Sequence, residues 1–172
     1  MTAPPLTWLY VPGDRPQTVT KALACGADVV IVDLEDAVAP DRKEYARAAT
    51  AERLREPQPV PVHVRVNALD TPFAAADLRT LAALPGVRGL RLPKVTSPHQ
   101  ITRVARTTQR TQGGATPLHA LLETALGVEH AYAIASAHPA VGGGGGGGGG
   151  GRGGGGGGGG GGPPPPPGGP GR

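Results

Sequence analysis

Asp33, Glu35 and Asp36 stand together immediately after the apolar run Val29-Val30-Ile31-Val32. Three like charges this close are costly unless a cation neutralises them, so the cluster calls for a metal ion or a basic side chain. Capping of the turn ahead of Ala37-Val38 is the competing reading for any one of the three. Arg65 is the natural counter-charge. It ends a run in which Val60, Val62, Val64 and Val66 alternate with Pro61, His63 and Arg65, and a guanidinium facing an interior must find an acceptor for its paired donors. An ion-pair partner at Glu35 or Asp36 would supply it. Glu123 is the lone acid between Asp77 and Glu129, next to a helix start whose dipole would welcome it.

Basic residues complete the chemical inventory. Gly13, Asp14 and Arg15 precede a helix that contains Lys21, an arrangement that brings backbone donors and cations to a phosphate. Seven Lys or Arg and no acid lie between Leu78 and Leu122, enough to attract an anion, although such a run is also what a solvated helix face looks like. Lys94, after Leu92-Pro93, is its member best placed to enter a site. His63 faces the same way as Arg65 and reads as a satisfied strand histidine, with a supporting hydrogen bond to the site as the alternative. The five histidines lack HExxH spacing, and the body carries no GxSxG, GxGxxG or GxxxxGK[ST] motif. Cys25 before Gly26 reads as a small packed thiol.

The elements that must position these residues follow from period and punctuation. Five β-rich runs occur at 7–11, 29–34, 60–66, 87–92 and 117–122. Helical patterns fill the gaps: Pro16 to Cys25, Asp41 to Arg55, Pro72 to Leu84 with Asp70 and Thr71 as caps, Ser97-Pro98 to the Gly113-Gly114 pair, and Gly127 to Ala137. Alternating strands and helices imply a parallel sheet with right-handed crossovers. An open doubly wound sheet and a closed (β/α)8 barrel both satisfy the pattern. The polar residues favour the barrel, because Pro12 to Arg15, Asp33 to Asp36, Arg65 with Asn67, Lys94 and Glu123 all end or follow strands. A barrel takes about 250 residues, so five βα units leave three to be accounted for.

Composition narrows the class further. Residues 142–172 are 23 Gly, 6 Pro and 2 Arg, so the fold resides in 1–141 and the tail is expected to be disordered. Two Arg and no aromatic residue do not make a nucleic-acid tail, and a shifted reading frame in a GC-rich coding region accounts for it better. Without the tail, 15 Lys plus Arg face 13 Asp plus Glu, a balance that does not argue for nucleic-acid binding. One cysteine, a start without a signal-peptide pattern, and no run of 18 apolar residues point to a cytoplasmic domain with no disulfide framework and no membrane partner.

LYVPGDRP at 9–16, KALACGADVVIVDLEDAVAPDRK at 21–43, VRVNALDTP at 64–72, GLRLPKV at 89–95 and LLETALGV at 121–128 resemble, in order, successive blocks of the citrate lyase β-subunit-like CoA ester lyases of the HpcH/HpaI aldolase superfamily. The resemblance covers Leu6 to Gly143. It implies a TIM barrel, homo-oligomers (trimer or hexamer) and Mg²⁺-dependent cleavage of an acyl-CoA thioester of the citryl, malyl or citramalyl type. It further implies that Glu123 is a Mg²⁺ ligand and that Arg65 grips the substrate carboxylate or keto oxygen. Glu35 and Asp36 would stand beside the metal, holding its waters or Arg65. Arg15, Lys21 and Lys94 would meet CoA or substrate anions. Mg²⁺ suits such a site, since it takes one or two carboxylates and keeps waters and substrate oxygens elsewhere.

The sequence departs from the family at Ala125-Leu126, where a proline and a basic residue are usual, and after His138-Pro139-Ala140-Val141, where a sixth strand with a metal-binding aspartate is expected. On that basis the chain as written is expected to be inactive. The alternatives are a non-catalytic remnant or CoA-binding module of the same fold, and an unrelated open α/β nucleotide binder.

Overall fold

A computed structural model describes residues 4–108 and 116–141. Its centre is a five-stranded parallel sheet in the order β1-β2-β3-β4-β5. The strands are β1 (Trp8–Pro12), β2 (Val29–Asp33), β3 (Val62–Arg65), β4 (Val87–Leu92) and β5 (Leu118–Ala120). Between and after them lie α1 (Pro16–Leu23), α2 (Lys43–Arg53), α3 (Ala74–Leu81), α4 (Pro98–Thr107), α5 (Ala125–Glu129) and α6 (Ala131–Ala135). Chain order and spatial order coincide, without the reversal that defines a doubly wound sheet.

Strand period divides the sheet into two chemically different faces. Val30, Val32, Val62, Val64, Leu90, Leu92 and Leu118 join Val19, Leu23, Leu54, Leu81, Ile101 and Val104 from the helices in one buried core. Full burial of each such side chain contributes about 1.5–3 kcal/mol. Residues one step out of phase point to the other face, so Ile31 lies opposite His63, His63 opposite Gly89, Asp33 opposite Arg65, and Arg91 opposite His119. That face carries the polar side chains. Gly13 closes the end of β1 against β2, because a Cβ there would lie 2.6 Å from the Leu34 side chain, and its N–H donates to the Asp33 carbonyl at 2.8 Å.

Several element boundaries differ from the sequence expectation. The helix expected from 41 divides into a 3-10 turn, Pro40–Arg42, and α2. The α3 helix begins at Ala74 after Phe73, and Asp70 and Thr71 do not cap it; the Thr71 hydroxyl donates instead to the Ala68 carbonyl at 2.7 Å. The helix opening at Pro98 ends at Thr107, while Gly113 and Gly114 lie outside the described residues, as does the Gly/Pro tail. The single helix expected over 127–137 is two short ones that meet at His130. Cys25 is exposed rather than packed, and its Sγ donates to the Ala22 carbonyl at 3.1 Å. Among the described residues no helix is long and apolar enough to cross a membrane.

Candidate active site

The C-terminal ends of β2, β3 and β4 and the segment after β5 bring one charged cluster together. Asp33 and Arg65 are register partners on neighbouring strands. Arg65 donates to Asp33 twice, Nε to Oδ1 at 2.8 Å and Nη2 to Oδ2 at 2.6 Å. The third nitrogen, Nη1, is 3.2 Å from Glu35 Oε2 and 3.6 Å from Asp36 Oδ2. These bonds to Asp33, working against burial, hold the guanidinium pKa above its ordinary value. A side-on clamp on two nitrogens fixes the plane of Arg65 and leaves Nη1 as the donor turned toward Glu35 and Asp36.

Asp33 also organises its own loop. It accepts from the Glu35 N–H at 2.8 Å and the Ala37 N–H at 3.2 Å, so the capping expected of one of the three acids belongs to Asp33. Arg65 thus forms the ion pairs expected with Glu35 and Asp36, and Asp33 is an additional and closer partner. Lys94 follows β4 with φ 53, the one non-glycine residue with positive φ among those described. Such backbone costs on the order of 1–3 kcal/mol and clusters at functional sites. Its Nζ lies 2.7 Å from Glu35 Oε1 and 3.7 Å from Asp36 Oδ1, and the bond to Glu35 raises its pKa. Its backbone N–H donates to Glu123 Oε2 at 3.3 Å. Thr124, not Glu123, caps α5, accepting from the Gly127 N–H at 3.1 Å. Glu123 is exposed and is left to face the cluster.

The remaining expected residues fall elsewhere. Arg15 precedes α1 and Lys21 sits in its last turn, both exposed. Neither forms an ion pair with the acids among the described residues. The structure instead adds two supports. Lys43, at the start of α2, is buried and donates to the carbonyls of Leu34 at 2.7 Å and Glu35 at 2.5 Å. Burial lowers its pKa against the pull of Asp33 and Glu35. A lysine in a first helical turn, where the dipole disfavours a cation, is the sequence signal that could have found it. Asp77 is fully buried on α3 and accepts from Asn67 N at 3.0 Å, Asn67 Nδ2 at 2.7 Å and Arg47 Nε at 3.0 Å. It thereby ties the segment two residues beyond Arg65 to α2 and α3.

The donor set fits Mg²⁺ in kind. Its carboxylate oxygens are hard ligands, Glu123 is accessible, and Glu35 Oε2 is a buried atom without a hydrogen-bond partner. Glu35 and Asp36 already face Arg65 and Lys94, so Glu123 is the acid best able to take a metal. Among the described residues no three His, Cys, Asp or Glu side chains group as a metal site by themselves.

Residues 6–143 match the HpcH/HpaI aldolase/citrate lyase family, and the chain belongs to that family. It is 36% identical over 139 residues to citrate lyase subunit beta of Leuconostoc mesenteroides, covering 76% of this chain and 46% of that one. It is 35% identical over 140 residues to the L-malyl-CoA/beta-methylmalyl-CoA lyase of Cereibacter sphaeroides, covering 76% and 44%. Among solved structures it resembles the citrate lyase beta subunit of Mycobacterium tuberculosis in complex with oxaloacetate and magnesium, with a TM-score of 0.63, 37% identity, and coverage of 81% of this chain and 56% of that one. The M. tuberculosis protein CitE in complex with magnesium, acetoacetate and coenzyme A matches with a TM-score of 0.63 at 38% identity, covering 80% and 46%. The chain spans about half the length of the curated relatives it matches.

Proposed function

We propose that residues 1–141 form a domain of a Mg²⁺-dependent carbon-carbon lyase acting on a β-hydroxyacyl-CoA of the citryl, malyl or citramalyl type, with the sheet as part of a (β/α)8 barrel wall. The observation that carries this reading is the Arg65 clamp. Asp33 holds two of its guanidinium nitrogens, so Nη1 is presented at the strand ends beside Glu35, Lys94 and Glu123. Strand order without a reversal and the placing of all these groups at strand C-terminal ends support the barrel reading.

In this reading Glu123 is a Mg²⁺ ligand, with Glu35 and Asp36 ordering waters around the site. The bound cation would polarise the carbonyl of the keto-acid fragment and offset the negative charge that grows as the carbon-carbon bond breaks. Arg65 grips the substrate carboxylate or keto oxygen through Nη1, a fixed donor aimed where charge develops. Lys94, held by Glu35, adds a second positive group on the same side. Arg15, ahead of α1, and Lys21, in its last turn, would meet CoA phosphates. With Glu35 and Asp36 facing Arg65 and Lys94, Glu123 with waters would hold Mg²⁺ weakly, so turnover by this chain alone is expected to be slow or absent until a second acid is supplied. The complete assembly is a homo-oligomer in the cytoplasm.

The test is thioester cleavage of malyl-CoA and citryl-CoA, followed with Mg²⁺ and with EDTA, for the chain alone and for a version extended by the sixth strand of a family relative. Cleavage by the extended form that stops in EDTA is expected. Full activity in EDTA would sink the metal assignment. Tight CoA binding without cleavage by either form would favour the alternative, a non-catalytic CoA-binding module.

A further inference from the structure

A cavity of about 300 Å³ opens on the helix side of the sheet, between α1 and α2. That volume is at the lower end of the roughly 300–1,000 Å³ usual for small-molecule sites. Pro16, Val19, Val32, Ala49 and Leu54 supply an apolar lining, and Thr50 completes it. The gap stays unfilled because the helix positions along it are short, with Thr20 on α1 and Ala49 and Thr50 on α2. It is separate from the candidate active site. Val32 belongs to the core shared with the helices, whereas the next residue, Asp33, pairs with Arg65 on the opposite face.

The wall decides what belongs there. Thr50 is 4% exposed, and its Oγ1 is buried without a hydrogen-bond partner. Other helical threonines send the hydroxyl back to the carbonyl four residues earlier: Thr20 to Pro16 at 3.1 Å, Thr102 to Pro98 at 3.2 Å and Thr107 to Arg103 at 3.0 Å. The Thr50 hydroxyl makes no such bond. Leaving a buried hydroxyl unpaired is costly, and rotation about χ1, between the rotamers open to a helical threonine, brings it to the cavity. Charge at the opening is balanced, since Glu52 and Arg53 are both exposed and of opposite sign. Water in the cavity could satisfy the hydroxyl but would leave the aliphatic lining wetted, a contact that an apolar solute removes.

We propose that the cavity between α1 and α2 binds a small neutral alcohol or phenol, its apolar body against Val19, Val32 and Leu54 and its hydroxyl paired with that of Thr50. A hydrocarbon would cover the walls and leave Thr50 unpaired. A charged solute would give up its hydration to an apolar lining that returns no counter-charge. A hydroxyl both donates and accepts, so it can match Thr50 in either sense.

The full chain would be titrated with phenol and, separately, with toluene while the methyl NMR resonances are followed. Saturable shifts of Val19, Val32 and Leu54 on adding phenol, without matching shifts of Val64, Leu90 and Leu118, are expected. Ala49→Leu should abolish the response by filling the space. Thr50→Val keeps the shape of the side chain and removes the hydroxyl. It should weaken phenol binding about three- to tenfold, the loss expected of one neutral hydrogen bond, and leave toluene binding as tight or tighter. No saturable response to phenol, shifts spread evenly over all six residues, unchanged binding in Ala49→Leu, or an equal effect of Thr50→Val on both solutes would overturn the proposal. Should both variants fail to fold, the pattern of methyl shifts in the unaltered chain still decides it.

Discussion

Asp33 and Arg65 face each other across β2 and β3 with two parallel hydrogen bonds, at 2.8 and 2.6 Å. The carboxylate is almost wholly buried, with 3% of its side chain exposed against 14% for the arginine. The pair links 32 residues of sequence and fixes the donor edge of the candidate active site.

Removing the carboxylate leaves the guanidinium without its main partner in a partly buried position. Asp33→Ala should destabilise the protein by about 3–5 kcal/mol, the usual result of halving a buried ion pair. Arg65→Lys keeps the charge and loses the planar fork, so a smaller loss of stability and a severe loss of any cleavage activity are expected. Urea denaturation of the two variants separates these outcomes. Equal stability of Asp33→Ala and the parent would show that the clamp contributes nothing.

Lys43 holds two carbonyls of the acidic loop from beneath. Lys43→Met preserves length and leaves the Leu34 and Glu35 carbonyls without their donor, at a cost of about 1–3 kcal/mol. The acids also lose a buried counter-charge, so the loop from 34 to 37 should gain amide hydrogen exchange. Unchanged exchange there would mean that Lys43 does not order the loop.

Glu123 is exposed, and among the described residues its one hydrogen bond is that from Lys94 N at 3.3 Å. Glu123→Gln should therefore change stability by no more than about 0.5 kcal/mol, as for other surface substitutions. Its Mg²⁺ response, read by isothermal titration calorimetry, should be lost. Retained Mg²⁺ binding would move the metal to Glu35 and Asp36.

The depressed pKa of His63 makes stability depend on pH with a definite sign. Its folded-state value is about 3, whereas an unfolded histidine titrates near 6.5. Between these values the unfolded chain binds the extra proton, so stability rises with pH across that window and is lost as pH falls below about 6.5. Burial is the main cause of the depression, and the charges of His119 and Arg91 reinforce it. His63→Phe should flatten the slope of melting temperature against pH between about 6.5 and 4. An unaltered slope would assign the acid sensitivity elsewhere.

Local chemistry made much of this protein legible before any coordinates. Alternating valines at 60–66, the buried run at 29–32 and proline at the first turns of α1 and α4 are patterns within a few residues of each other, and they define strands and helices without tertiary help. The same is true of the family motifs and of the acids, Arg65, Lys94 and Glu123 as site candidates. Which partner each charge takes depends on register between strands far apart in sequence, and no local pattern carries it. Register made Asp33 the partner of Arg65 and brought Lys94 to Glu35. It also put a glycine between two histidines 56 residues apart, so that their rings approach to 4.6 Å between centroids over Gly89. The division follows from range: backbone preference and hydrophobic period act over one or two turns, whereas charge pairing is decided by which strand ends the packed sheet sets side by side.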